Sequence, residues 1–341
     1  MTYYLFAEAS QIELDPLKAF LYRINKTGRC AVFAVNDGTR QAFLSALRFR
    51  CLPEREDGAV PALGEDGALY WLRPGGIVKF SDNAGTLEKH WKKLCRFSAR
   101  LRSEEIFRRK VCARYSDGIR LQSRSVIGYH RYVFVDRSAG VVLPFRFKAA
   151  KKKEQPLVVY FGGGGTIGHR NIKPLLEFLM YARGALAAKR GCNLFVPQAM
   201  RSAGNPRNCA AQCNRVVELL IAAHEIDPSR VYAYGTSFGG KCTWRALLDR
   251  PDLYAAAVEV MGALEDEGAA LERIADIPLW LAHAADDRVV PVESDDRCFE
   301  RLKALGAEVR YTRRDRQGHQ MYKTFFRNEG WLDWLLSKKK S

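Results

Sequence analysis

Short apolar runs alternate with amphipathic stretches along the second half of this chain of 341 residues. The apolar runs are too short for helices and predict buried strands, whereas apolar positions three and four apart predict helices between them. The predicted strands are 157–161, 193–196, 231–234, 256–261, 279–283 and 308–312, and the predicted helices are 175–190, 208–225, 240–250, 268–274, 294–305 and 322–336. Because buried strands that alternate with helices form parallel sheets, the pattern predicts an α/β fold with a mostly parallel sheet and helices on both faces.

The residues before this pattern divide into two parts. Residues 128–135 and 141–147 predict two strands around a turn, which would form an antiparallel edge of the same sheet. The first 110 residues predict a separate α+β region whose fold the pattern does not define. Its predicted elements are strands at 3–7, 30–35 and 69–72, a helix from Asp15, and a basic amphipathic helix over 85–110. We therefore expect an accessory region over 1–110 and the α/β domain over 111–341.

The sharpest local motif is Gly-x-Ser-x-Gly at residues 235–239, directly after a predicted strand and before a predicted helix. This context is typical of a nucleophile elbow, in which small residues on either side allow a serine to occupy a strained turn. Ser237 is therefore the predicted nucleophile. The alternative is a glycine-rich turn whose serine only caps the helix.

A serine hydroxyl needs a base within hydrogen-bond reach and a carboxylate that orients the base. In folds with this motif the acid and the base follow the serine along the chain, in that order. Only His283 and His319 follow Ser237, and His319 is the better base because it comes after the last predicted strand. The acid is expected in the loop after strand 279–283, where spacing alone does not separate Asp286 from Asp287.

Acyl transfer also needs backbone donors for the oxyanion of the tetrahedral intermediate. One is expected at Phe238, directly after the serine, and another in the glycine-rich loop 162–168. Such a loop could instead hold a phosphate, but the sequence lacks the Gly-Lys-Ser/Thr and Gly-x-Gly-x-x-Gly patterns of nucleotide sites.

From about residue 128 to 335 the chain resembles the esterase and predicted-peptidase branch of the α/β-hydrolases, around polyhydroxybutyrate depolymerase-like and feruloyl-esterase-like proteins. Four segments carry the resemblance. They are PLVVYFGGGG at 156–165, IDPSRVY at 226–232 with the motif and TWR at 243–245 after it, IPLWLAHAADDRVVP at 277–291, and Gly-His at 318–319.

The resemblance implies Asp287 as the acid and Gly164 as the second oxyanion donor. The chain departs from the family at Gly162, where a histidine is usual, and at Ala284, where a glycine is usual. The family histidine supports the oxyanion loop and takes no part in the chemistry, so the first departure concerns the geometry of that loop.

The formal net charge is +17, and much of the excess lies between Lys89 and Arg114. A basic field can attract nucleic acid, anionic membranes or acidic substrates. No nucleic-acid-binding motif accompanies it, so we expect no such partner. Cys209 and Cys213 lie one helical turn apart without further ligands at zinc spacing, so we expect no metal, and no cofactor. No signal peptide or transmembrane segment is recognisable, and the expected location is the cytoplasm.

Three functions fit these features. The first is a carboxylic-ester hydrolase acting on a small-molecule or polymer-derived ester, and the second is a serine peptidase with the same triad. The third is a non-catalytic binding protein whose basic N-terminal half contacts an acidic partner. His169, Arg201 and Arg207 lie on loops that should border the site, where they could contact substrate or simply be exposed.

Overall fold

The chain forms two compact units, residues 1–103 and 104–341. We describe them from a computed structural model. It covers residues 1–8, 19, 21–24, 30–46, 60–66, 68–73, 76–81, 85–125, 127–201, 205–224, 226–264, 271–328 and 330–340.

The first unit contains a six-stranded antiparallel sheet in the order β2-β3-β1-β4-β5-β6, together with a short helix, α1. These elements are β1 (Tyr3–Glu8), β2 (Leu21–Ile24), β3 (Cys30–Val35), α1 (Arg40–Ala46), β4 (Val60–Gly64), β5 (Leu69–Arg73) and β6 (Gly76–Ser81). Side chains such as Leu5, Phe33 and Phe43 form its core. The helix predicted from Asp15 lies outside the described residues.

A long helix, α2 (Leu87–Arg114), contains the boundary between the units. The amphipathic helix predicted over 85–110 therefore exists and extends four residues further. Within the first unit, Trp91 of this helix is buried against Cys30 and Val32.

The second unit contains a nine-stranded sheet in the order β15-β14-β13-β12-β10-β11-β9-β8-β7. Its strands are β7 (Gly118–Ser123), β8 (His130–Asp136), β9 (Val141–Lys148), β10 (Leu157–Phe161), β11 (Asn193–Pro197), β12 (Val231–Thr236), β13 (Ala256–Val260), β14 (Leu279–Ala284) and β15 (Val309–Arg314). Strands β10 to β15 are parallel to one another, and β7 to β9 form an antiparallel edge in which β9 pairs with β11. The predicted α/β fold and its antiparallel edge are confirmed, although β7 was not predicted.

Helices cover both faces of this sheet. They are α3 (Lys173–Met180), α4 (Gly184–Lys189), α5 (Pro206–His224), α6 (Phe238–Asp249), α7 (Glu293–Ala304), α8 (Tyr322–Asn328) and α9 (Trp331–Ser337). Alternate residues of β10 enter different cores, because successive side chains of a strand point to opposite faces. Val159 joins the core with α5, α6 and α7, and Tyr160 joins the one with α3, α4, α8 and α9. Of the helices in the ranges given above, none has the length and apolar character needed to span a membrane.

The predicted helix over 175–190 was wrong, since α3 and α4 are separate helices. Arg183 has a φ of 57°, in the left-handed region, and this conformation interrupts the helix. Its guanidinium donates to the carbonyls of Phe326 and Arg327, and these contacts hold the turn. The helix predicted over 322–336 is likewise divided into α8 and α9.

Candidate active site

Ser237 occupies a sharp turn between β12 and α6. Its φ is 56° and its ψ is −121°, a conformation that is costly for a residue with a side chain. Its N–H donates to the carbonyl of Val260 over 2.8 Å. Small neighbours are required here, because a Cβ on Gly235 would lie 2.4 Å from the carbonyl oxygen of Gly239. The turn therefore holds the serine at the carboxyl edge of the parallel sheet.

Replacement of Gly239 by Ala is expected to destabilise the protein by about 3 kcal/mol or more. The new Cβ would lie 2.0 Å from the carbonyl oxygen of Phe161, and neither that backbone oxygen nor the backbone that carries the Cβ can easily move. Urea denaturation measures the loss. Gly165→Ala is the matched control, since no atom lies within 4 Å of its Cβ, and it should change stability by less than about 0.5 kcal/mol. Equal stability of the two variants would contradict the account of the turn.

The structure brings Ser237, His319 and Asp287 into one hydrogen-bonded chain. His319 Nε2 lies 2.8 Å from Ser237 Oγ, and His319 Nδ1 lies 2.7 Å from Asp287 Oδ2. The Asp287 side chain is fully buried and also accepts hydrogen bonds from the N–H groups of Val289 and Val290. Burial acts to raise the pKa of Asp287, but the hydrogen bonds from His319 and these N–H groups outweigh it and lower the pKa. The carboxyl group is therefore kept ionised beside the imidazole.

Asp286 faces a different partner. Its Oδ1 accepts from the N–H groups of Gln317 and Gly318, at 3.0 and 2.7 Å. Asp286 therefore holds the backbone of the loop before His319, while Asp287 contacts the imidazole itself. The structure thus separates the two carboxylates that spacing alone left equivalent.

His283, the alternative base, lies in the interior behind Asp287. Its Nδ1 is 2.6 Å from Asp295 Oδ2, and its Nε2 is 3.1 Å from the carbonyl oxygen of Val290. Because a carbonyl oxygen can only accept, Nε2 carries a proton. Burial acts to lower the pKa of His283, but the hydrogen bond and charge of Asp295 outweigh it and raise the pKa. The buried His283 ring also approaches the triad, since its Nε2 lies 3.5 Å from Asp287 Oδ2.

Glu259 is a second buried acid in this region, 1% exposed at the end of β13. Its carboxyl group lies in a space made by two glycines, since a Cβ on Gly240 or Gly262 would come within 2.4 Å of Oε1. Burial and the negative charge of Asp295 raise the pKa of Glu259 well above its ordinary value of 4.5. Glu259 therefore binds a proton more tightly in the folded than in the unfolded state.

Replacement of Glu259 by Gln is expected to stabilise the protein relative to the parent as the pH rises. In the parent, the contribution of Glu259 is fully present below its unfolded pKa of 4.5 and is lost as the pH approaches the raised folded value. The stability difference should grow by about 1.4 kcal/mol per pH unit in that window. Urea denaturation of both proteins at pH 5 and pH 7.5 measures it. A difference that does not change with pH would show that Glu259 is not protonated in the fold.

The two predicted oxyanion donors lie side by side. A Cβ built on Gly164 would be 3.8 Å from Phe238 Cβ, so the glycine-rich loop meets the start of α6 at this point. Within the described ranges, neither the N–H of Gly164 nor that of Phe238 donates to a protein acceptor. Both groups can therefore point at a developing negative charge, which the N-terminus of α6 also favours.

Glu177 of α3 anchors the glycine-rich loop 162–168 through its carboxyl group. Its Oε1 accepts from the N–H of Gly163 over 2.8 Å and from the hydroxyl of Tyr160 over 2.6 Å. The Thr166 hydroxyl adds a hydrogen bond to the carbonyl of Gly163. The loop is thus anchored by a carboxyl group from α3, although Gly162 replaces the family histidine.

The three predicted substrate contacts have different surroundings. His169 stacks beside Phe107 with ring centroids 5.0 Å apart, and burial lowers its pKa. Arg201 forms an ion pair with the buried Glu104 over 3.2 Å and donates to a backbone carbonyl, so its charge is already neutralised. Arg207 is exposed and lines a cavity at the start of α5. Of the three, Arg207 is the one whose charge is available to a ligand.

Sequence reasoning missed Glu177, Glu259 and the place of His283. Glu259 left a visible trace, since it is the single charged residue in the apolar strand Ala256–Val260. Nothing in the sequence singled out Glu177, because an acidic residue on an amphipathic helix is normally solvated. Among the described residues, no group of three His, Cys, Asp or Glu side chains could hold a metal ion.

Comparison with known proteins gives partial similarities. The model of the prolyl oligopeptidase family matches residues 199–272. A solved structure described as a thermostable esterase is 27% identical, with a TM-score of 0.57, over 63% of this chain and 64% of its own. An esterase from the Planctomycetes species Thermogutta terrifontis is 17% identical, with a TM-score of 0.48, over 64% of this chain and 92% of its own. No curated protein sequence matches.

This chain therefore spans less than two thirds of the length of the thermostable esterase. The strand order of the second unit, the serine turn at its carboxyl edge, the match to the prolyl oligopeptidase family and the similarity to the thermostable esterase agree with the resemblance found in the sequence. Together these findings indicate the α/β-hydrolase superfamily, in the branch that contains esterases and peptidases.

Proposed function

We propose that the protein is a serine hydrolase that cleaves carboxylic esters through an acyl-enzyme intermediate. The observation that carries the proposal is the continuous hydrogen-bonded chain from Ser237 Oγ through His319 to the buried carboxylate of Asp287. A nucleophile, its base and the group that orients the base are thereby within contact distance, as acyl transfer requires.

In the acylation step, Ser237 Oγ attacks the ester carbonyl while His319 Nε2 takes the hydroxyl proton. Asp287 keeps the other proton on Nδ1 and stabilises the imidazolium that forms. The N–H groups of Gly164 and Phe238 bind the oxyanion of the tetrahedral intermediate. When the intermediate collapses, His319 returns the proton to the leaving alcohol, and the acyl group stays on Ser237.

Deacylation repeats these steps with water. His319 takes a proton from the attacking water, the oxyanion forms again between the same two N–H groups, and the carboxylic acid leaves as Ser237 regains its proton. The nucleophile, the base, the orienting carboxylate and the two oxyanion donors of this cycle are all groups of the chain.

The proposed substrates are small-molecule or polymer-derived esters. The similarity to the thermostable esterase favours this class, because that structure shares 27% of its residues with this chain in the aligned part. A serine peptidase is the second candidate, favoured by the match of residues 199–272 to the prolyl oligopeptidase family. Both reactions would use the same three side chains.

The test compares p-nitrophenyl butyrate, the p-nitroanilide of the same acid, and a panel of peptidyl p-nitroanilides. We expect hydrolysis of the ester with a kcat/KM of about 10⁴ M⁻¹s⁻¹ or more, and no cleavage of the anilides. Cleavage of a peptidyl anilide with a comparable kcat/KM would establish the peptidase instead. If no substrate in the set is cleaved, the proposed activity is contradicted.

A further inference from the structure

A chain of buried polar side chains continues from the candidate triad into the interior of the second unit. It consists of His283 at the end of β14, Asp295 of α7 and Glu259 of β13, and each of them is at most 1% exposed. None of the three takes part in the proton transfers of the proposed reaction. Because a buried polar group costs free energy that an apolar side chain in the same space would not, packing alone does not explain these residues.

His283 contacts the turn that carries Asp287. Its Nε2–H donates to the carbonyl oxygen of Val290 over 3.1 Å, and the N–H of Val290 donates to Asp287 Oδ1 over 3.0 Å. The peptide groups of Val290 are thus held by the acid on one side and by the imidazole on the other. The same Nε2 lies 3.5 Å from Asp287 Oδ2, the oxygen that lies 2.7 Å from His319 Nδ1. The His283 ring therefore borders both the carboxylate and the backbone that positions it.

Asp295 fixes the His283 ring from the other side. Its Oδ2 lies 2.6 Å from His283 Nδ1, so the ring is held at both nitrogens and cannot turn without breaking a hydrogen bond. Asp295 in turn forms a hydrogen bond with Glu259, which requires a proton on one of the two carboxyl groups, in agreement with the raised pKa of Glu259. The orientation of the His283 ring is therefore set by α7 and β13, outside the turn that it supports.

We propose that His283 is a positioning residue for Asp287, which it holds in the orientation in which the carboxylate faces His319. This inference rests on the proposed hydrolase function, because it names a residue that supports the triad of that site. His283 acts through its Nε2–H, which fixes the Val290 carbonyl and with it the turn around Asp287. Without this contact the carboxylate orients the base less well, and small displacements of catalytic groups lower reaction rates strongly.

Two substitutions separate the roles of the two His283 nitrogens. His283→Gln places an amide N–H near the position of Nε2 and can still donate to Val290, but it loses the contact with Asp295. His283→Asn places its amide near the position of Nδ1 and can still donate to Asp295, but it loses the contact with Val290. Because a buried carboxylate that loses a partner costs more than a carbonyl that loses one, His283→Gln should be the less stable variant. A purely structural role predicts that it is also the less active one.

The positioning role predicts the opposite order of activity. In hydrolysis of p-nitrophenyl butyrate, His283→Asn should lower kcat by about 10- to 100-fold with KM within about threefold of the parent, and kcat of His283→Gln should be at least about fivefold higher than that of His283→Asn. Urea denaturation gives the order of stability. The control is His224→Asn, at a half-buried histidine that stacks on Phe147 at the end of α5, and it should leave kcat unchanged. Equal kcat in the two His283 variants, or a lower kcat in His283→Gln, would overturn the inference while leaving the hydrolase proposal intact.

Nitrogen-15 NMR of the histidine-labelled parent tests the same contact if the variants do not fold or if no ester is hydrolysed. We expect a proton on His283 Nε2 that exchanges slowly with water, since this nitrogen is buried and donates to Val290. An Nε2 without a proton cannot donate to a carbonyl, and that result would contradict the positioning role whatever the activity of the protein. A slowly exchanging proton in a protein that cleaves no ester would support the contact and contradict the proposed function alone.

Discussion

Ser237→Ala is expected to lower kcat for ester hydrolysis by about a millionfold, to the level set by transition-state binding without a nucleophile. The hydroxyl is the atom that attacks, and the structure places its oxygen 2.8 Å from the base. The loss should appear in kcat and not in KM, because the Ser237 hydroxyl makes its decisive bond in the transition state. Steady-state kinetics with p-nitrophenyl butyrate measures the effect.

Ser116→Ala is the matched control for this variant. Ser116 is an exposed serine between α2 and β7, and its replacement should leave kcat unchanged. Circular dichroism and melting temperature of Ser237→Ala should match the parent, since alanine keeps the Cβ and can adopt the same backbone conformation, and the change removes only one part-buried hydrogen bond. Retention of more than about a hundredth of the parent kcat would show that Ser237 is not the nucleophile.

Asp287→Asn is expected to lower kcat by about 10⁴-fold with little change in fold. The carboxylate holds the proton on His319 Nδ1, which leaves Nε2 free to accept the proton of Ser237. An amide N–H in place of the carboxylate oxygen would favour the opposite tautomer, in which Nε2 carries the proton and cannot act as a base. The pH dependence of kcat/KM, measured on the ester, reports the change.

Asp286→Asn is the control for Asp287→Asn because it makes the same chemical change at the neighbouring residue. Its amide oxygen can still accept from the N–H groups of Gln317 and Gly318, so the loop stays in place. We expect a loss of less than about tenfold. If the two variants lost activity equally, the assignment of different roles to the two carboxylates would be wrong.

The sequence predicted those parts of the fold in which the signal is local. Strands such as Leu157–Phe161 are buried on both faces and are therefore apolar throughout, which makes them visible. Strand β7 (Gly118–Ser123) escaped prediction because it lies at the exposed edge and contains polar side chains. The break at Arg183 was invisible because it depends on contacts with Phe326 and Arg327, which are distant in sequence.

The residues of the candidate site likewise fall into those that the sequence predicted and those that only the structure revealed. Ser237 and His319 could be proposed from motif and chain order alone. Spacing could not separate Asp286 from Asp287, because the direction of each side chain depends on the backbone of the distant loop before His319. Glu177 became visible only when the packing of α3 against β10 placed its carboxyl group beneath the glycine-rich loop.

The central claim is that Ser237 carries the acyl group, and covalent labelling tests it most directly. The protein is incubated with a fluorophosphonate, which forms a stable adduct with an activated serine, and the product is analysed by intact-protein and peptide mass spectrometry. The account predicts one adduct per chain, on Ser237, and none in His319→Ala, where the base is missing. A protein that hydrolyses esters but remains unlabelled, or carries the adduct on another residue, would contradict it.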